Sequence, residues 1–147
     1  MNIFLSVGTT YLEQQEQFVM AFETFLRNNG CECLTVGRRY FGVLQPVVQV
    51  KNRMKDADAV VVLAFTRLLV KEAIERPDSE DAKAVTDIRY PTAWNQLEPA
   101  LAYGMGLPVL IIVEEGLHQE AMLEDKHEFQ IIYTKLEPNF FESESFH

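Results

Sequence analysis

Asp58-Ala59-Val60-Val61-Val62-Leu63-Ala64-Phe65 is the stretch from which the fold is read. It is a nearly continuous, largely β-branched apolar run, the signature of a strand covered on both faces. Leu107–Val113 repeats the pattern. Asn2–Val7, ending at Gly8, and Cys31–Val36 read as further strands, and Phe129–Thr134 as a last one. Between them the period changes. Leu12, Gln15, Phe18, Val19, Phe22, Phe25 and Leu26 recur at helical spacing, and Gly30 stops that helix. Thr10-Tyr11-Leu12-Glu13 has the spacing of a capping box. Val47, Val50, Met54 and Ala57 mark a short second helix. Strands alternating with helices indicate an α/β fold in three layers, with a central, mostly parallel five-stranded sheet.

The remaining segments follow from the same cues. Arg67–Arg76 looks helical, and Pro77–Pro91, polar with two prolines, reads as mostly loop. A helix is expected from about Ala93 to Met105, closed by Gly106. Glu114–Lys126 reads as an acidic loop or weak helix, and the tail after Pro138 as partly disordered. No internal repeat or linker divides residues 1–147, so one domain is expected. Ligands in such sheets bind at the carboxyl ends of the strands. That directs attention to Ser6–Thr10, Gly37–Gln45, Phe65–Leu68 and the segment entering the Trp94 helix.

Charge narrows the ligand class. The chain has 13 Lys+Arg against 22 Asp+Glu, a net charge of −9. Residues 114–147 hold 9 of the acids and only 2 of the bases, whereas residues 1–113 are nearly neutral. So acidic a chain offers few cations for counterion release, which argues against long nucleic acid and against anionic membrane surfaces. No apolar run approaches the roughly 20 residues of a membrane helix. The start shows no signal-peptide architecture, and a cytoplasmic protein is expected. Cys31 and Cys33, the only cysteines, are spaced wrongly for a C-x-x-C pair and read as reduced core thiols. His118, His127 and His147 are scattered, so no metal site is expected.

Tyr90–Pro108 carries the most chemistry. Pro99 is tolerable only near the start of a helix. With Asn95 as N-cap, Glu98 falls at the third helical position and Asn95-x-x-Glu98 forms a capping pair. Glu98 then lies near the positive end of the helix dipole and at the strand-end rim. A carboxylate there beside Trp94, the only tryptophan, is a candidate site for a sugar and a base. The structural alternatives are that Glu98 merely caps the helix and that Trp94 is a core or rim residue.

Trp94-Asn95-Gln96-Leu97-Glu98 resembles the Trp-Cys-x-x-Glu motif of TIR domains, with Asn95 in place of the cysteine. Pro46–Leu63 is similar to the TIR helix and strand that precede that motif, Gly37–Gln45 to the TIR loop after the second strand, and Ile3-Phe4-Leu5-Ser6 to the TIR first strand. Glu98-Pro99-Ala100-Leu101-Ala102 with Gly106-Leu107-Pro108-Val109 equally resembles the Glu-x-Gly-x-Ala and Gly-x-Pro-Val motifs of nucleoside 2-deoxyribosyltransferases, with Ala100 in place of the glycine. Both resemblances imply a flavodoxin-like fold and a glutamate acting on an N-glycosidic bond. The acidic pair that assists the transferases has only Asp58 and Asp87 as candidate counterparts. Relative to TIR domains, Thr66–Ala93 is an insertion, a candidate lid or partner surface.

Two further features suit a nucleotide. Arg38, Arg39, Lys51, Arg53 and Lys55 form a basic zone without acids, and Arg38 and Arg39 fall on a strand-end loop where a guanidinium can hold phosphate. Ser6-Val7-Gly8-Thr9-Thr10 ends a strand and opens a helix, a geometry suited to an anion, though it is neither a Walker A nor a G-x-G-x-x-G motif. The first expectation is therefore an NAD hydrolase or cyclase of TIR type. Glu98 would be its catalytic carboxylate, Trp94 and Tyr40 or Phe41 would face the base, Arg38 or Arg39 the phosphate, and Ser6, Gly8 and Thr9 the ribose or phosphate. NAD would be substrate, with no separate cofactor. The alternatives are a non-catalytic nucleotide-binding or signalling module that self-associates or meets a partner protein, as in bacterial defence, and a nucleoside 2-deoxyribosyltransferase or nucleotide N-hydrolase.

Overall fold

The β-branched run lies at the centre of the sheet. The computed structural model describes residues 1–35, 46–143 and 146. Its elements are β1 (Asn2–Val7), α1 (Glu13–Asn28), β2 (Glu32–Thr35), α2 (Pro46–Met54), β3 (Ala59–Ala64), β4 (Leu68–Glu75), β5 (Lys83–Tyr90), α3 (Trp94–Gly104), β6 (Val109–Glu114) and β7 (Gln130–Thr134). Five strands form one sheet in the order β2-β1-β3-β6-β7, and every pairing in it is parallel. Two layers cover it. Val60, Val62 and Ala64 of β3 pack with Phe4 and with Val50, Met54 and Ala102 of α2 and α3. Val61, Leu63 and Phe65 pack with Ile3, Leu5 and the α1 residues Phe18, Val19 and Phe22. Burial on both faces is why these strands are continuous apolar runs rather than alternating ones.

The order places a topological switch point between β1 and β3, the ligand position of a flavodoxin-like sheet. Ser6 is opposite Val62, and Val7 opposite Leu63, so the two strands end side by side.

Four local expectations are corrected. Thr10 does not cap α1. Leu12 occupies the N-cap without a side-chain bond, and the Thr10 hydroxyl donates to Glu16 instead of the chain forming a Thr10–Glu13 box. Residues 67–76 are not helical and 77–91 are not mostly loop. They form the antiparallel hairpin β4-β5, with Leu68 opposite Tyr90 and Glu75 opposite Lys83. Leu68, Val70, Ile74, Ala84, Ile88 and Tyr90 share one face in this register, which is strand periodicity hidden by the helix-forming residues Lys71, Glu72, Ala73 and Glu75. Pro77, Asp78 and Ser79 supply the turn, where the Ser79 hydroxyl donates to the Arg76 carbonyl at 2.8 Å. Asn95 does not cap α3. Ala93 holds that position, which leaves Asn95 and Pro99 inside the helix. The tail is ordered through Pro138–Glu142, a 3-10 turn that buries Phe141 against Phe18 and Phe22.

Candidate functional site

Glu98 stands in the second turn of α3 and is buried, 7% exposed. Burial pushes its carboxyl up to about 7, because desolvation penalises the charged form. The Ser6 hydroxyl on β1 opposes that shift. It does so as a close polar neighbour, since Ser6 Oγ is buried without a partner in hydrogen-bond geometry among the described residues. A half-ionised carboxyl beside an unpartnered hydroxyl is costly in a folded core, and such groups ask for an explanation.

Asn95 explains how α3 is held there. It is buried one turn before Glu98, on the same side of the helix, and its Nδ2 donates to the Leu63 carbonyl at 3.3 Å while its Oδ1 accepts from the Thr92 hydroxyl at 3.1 Å. A side chain expected to cap α3 thus ties the helix to the end of β3. Gly8 completes the contact, because a Cβ there would stand 3.1 Å from Thr92 Cγ2, so a bare backbone lets the end of β1 approach α3.

A small cleft of about 10 Å3 opens at the carboxyl ends of β1 and β3. Gly8, Thr9, Thr66, Arg67, Thr92 and Asn95 are among its walls. The Thr66 amide donates to a Glu114 carboxylate oxygen at 2.6 Å, and its carbonyl accepts from the Tyr11 hydroxyl at 2.7 Å and from Gln15 Nε2 at 3.4 Å. The sequence directs attention to Phe65–Leu68 as a strand end without singling out Thr66, and it does not mark Glu114, because nothing local in either segment signals a contact across 48 residues.

The structure brings Ser6 and Glu98 together, while Gly8 and exposed Thr9 line the neighbouring cleft, whose walls do not include Ser6 or Glu98, and Trp94, 38% exposed, holds the first position of α3. Arg38, Arg39, Tyr40 and Phe41 lie outside the described residues. The loop after β1 is a poorer anion site than its position suggested. The first turn of α1 carries Glu13 and Glu16, which oppose an anion at that helix end, and the Tyr11 amide already donates to Gln15 Oε1 at 3.2 Å. Asp58 accepts from the Asn2 amide at 2.7 Å before the start of β3, the opposite edge of the sheet from the cleft. Asp87 is spent in an exposed pair with Lys71 at 2.9 Å on the hairpin. Neither assists Glu98. A groove of about 990 Å3 along α1 and β2, lined by Met20, Arg27, Cys31 and Cys33 among others, does not include Glu98. Among the described residues no cluster of His, Cys, Asp and Glu suits a metal ion, and no helix is long and apolar enough to cross a membrane.

No family model matches the chain, and no curated protein matches it. Solved structures do. A CMP N-glycosidase of Clostridium botulinum superposes with a TM-score of 0.57 over 92% of this chain and 90% of its own, at 14% identity. A conserved protein from Enterococcus faecalis V583 superposes with a TM-score of 0.51 over 90% of this chain and 91% of its own, at 10% identity. At these identities the likeness is one of fold, and it extends over nearly the whole chain.

Proposed function

We propose that this chain cleaves the N-glycosidic bond of a nucleotide, with Glu98 as the reacting carboxylate. One observation carries the reading: a buried carboxyl pushed up to about 7 faces a buried, unpartnered Ser6 hydroxyl at the switch point of the sheet. In its ionised form Glu98 attacks the anomeric carbon of the sugar. A bond forms between a carboxylate oxygen and that carbon, the carbon–nitrogen bond breaks, and the base leaves with the electron pair and takes up a proton. Water then hydrolyses the glycosyl ester and restores the carboxylate. In this reading Ser6, the neighbour of Glu98, holds the sugar, Trp94 packs on the base, and the solvent-exposed Arg67 meets a phosphate outside the small cleft.

Nucleoside monophosphates are the first substrates to test, because the similar structure named above is a CMP N-glycosidase. NAD and deoxynucleosides are the other arms, matching the TIR-like and transferase-like expectations. Purified protein is incubated with CMP, dCMP, the other monophosphates, NAD and deoxynucleosides, and free base is measured by chromatography beside Glu98→Gln. Base release from at least one of them, abolished by Glu98→Gln, is the expected result. Activity that survives the substitution removes Glu98 from the chemistry.

A second reading, a module that binds a nucleotide and associates with itself or another protein, is favoured by the hairpin. Leu68 and Ile74 are 56% and 62% exposed there, on strands that pack chiefly on each other. Thermal stabilisation by a nucleotide without turnover, with mass increasing at higher protein concentration, would select that reading.

A further inference from the structure

We propose that the Thr66 hydroxyl is a binding group for one hydroxyl of the ligand's sugar, a subsite in the cleft at the carboxyl ends of β1 and β3. The inference rests on the nucleotide reading above and deepens it. Thr66 is 6% exposed, and its Oγ1 has no hydrogen-bond partner among the described residues. The main chain of the same residue is pinned from both sides. Glu114 at the end of β6 takes its amide, and Tyr11 and Gln15, from the loop before α1 and from α1 itself, take its carbonyl. Three side chains therefore fix where the hydroxyl stands, and only the hydroxyl is left unsatisfied. An immobile buried donor without a partner is unfavourable in the free protein and pre-organised for a ligand.

The size and polarity of the cleft name the class of partner. About 10 Å3 is close to the smallest space that admits one water-sized group. A phosphate or a base does not fit, whereas a single oxygen does. Its walls include Thr9, Thr92 and Asn95, which are uncharged and can both donate and accept. A sugar hydroxyl also does both, so it satisfies Thr66 without importing a charge. A bridging water is the competing occupant, and the test separates the two.

Ribose 5-phosphate is titrated into the whole protein and into Thr66→Val, which keeps the shape and removes the hydroxyl, and Thr66→Ser, which keeps the hydroxyl. The expected result is a dissociation constant weakened about tenfold or more in Thr66→Val and nearly restored in Thr66→Ser. The melting temperature of unliganded Thr66→Val is expected to stay level or rise, because a buried unpaired group is gone. A Thr66→Val protein that melts lower and binds ribose 5-phosphate as wild type does would show a structural hydroxyl held by water, and would overturn the proposal. So would a wild-type protein that does not bind the probe. A wild type that binds the probe but releases base from no nucleotide defeats the enzymatic reading alone, and the affinity ratio still decides the subsite.

Discussion

Asn95 Nδ2 donates to the carbonyl of Leu63 at 3.3 Å, binding the first turn of α3 to the carboxyl end of β3. The bond matters because Asn95 is one turn ahead of Glu98 on a helix whose N-cap residue makes no side-chain bond. Asn95→Ala removes this bond and the one to Thr92, and is expected to cost about 1–2 kcal/mol in urea unfolding. It should also lower base release more than Thr92→Ala does, since Thr92→Ala breaks only the second bond. Equal losses would mean that Asn95 does not position α3.

Glu98 makes stability depend on pH in a definite direction. Its carboxyl titrates from the ordinary 4.5 in the unfolded chain to about 7 in the fold. Below about 4.5 both states are protonated and there is no penalty. As pH rises to about 7 the unfolded chain gives up a proton that the fold retains, so stability from this group is lost across that window. The full difference is about 3 kcal/mol. Glu98→Gln should therefore melt close to wild type at pH 5 and several degrees above it at pH 8. A constant difference between the two pH values would contradict the shift.

The same group sets the rate profile. Attack needs the carboxylate, so kcat/KM for the cleaved nucleotide should rise with pH and level off above about 7. A rate that falls through this range would make Glu98 a proton donor instead of a nucleophile.

Gly8 is held to its identity by Thr92. A methyl group there meets Thr92 Cγ2 at 3.1 Å, so Gly8→Ala must push Thr92 away from its bond to Asn95. A loss of about 1 kcal/mol in stability is expected. Adding Thr92→Ser, which deletes the obstructing methyl and keeps the hydroxyl, should recover most of it. No recovery in the double variant would place the strain elsewhere.

Phe141 tests the end of the chain. It is 3% exposed, with ring centroids 4.7 Å from Phe18 and 5.1 Å from Phe22. Phe141→Ala is expected to cost about 3–5 kcal/mol, a core-sized loss from a segment that reads as a tail. Ile74→Ser, by contrast, alters a hairpin residue 62% exposed and should stay within about 0.5 kcal/mol in the monomer.

The legible parts of the molecule are those that repeat along the chain. Val60–Leu63 and Ile111–Val113 announce a sheet buried on both faces, and Phe18, Val19 and Phe22 announce the helix that covers it. Glu98 was singled out by its neighbouring motif, whereas the Pro99 constraint misplaced the start of α3, which begins at Trp94 and holds Pro99 inside. The hairpin was not. Lys71, Glu72, Ala73 and Glu75 favour helix, and only pairing with Lys83–Tyr90 makes β4 a strand. Phe140 and Phe141 looked like a tail because the residues after Pro138 show no hydrophobic period, yet they complete the aromatic layer over α1.

The sequence by itself determined the layers and the parallel strands, because hydrophobic period acts between residues close in the chain, and its motifs named the candidate carboxylate. Only the tertiary structure decided that Ser6 faces Glu98, that Asn95 is a tie to β3 rather than a cap, and that Thr66 is pinned by Tyr11 and Glu114 from 55 and 48 residues away. Those contacts depend on strand order and register, which bring the ends of β1, β3 and β6 to one edge, and on burial, which turns an ordinary glutamate into one that titrates near neutrality.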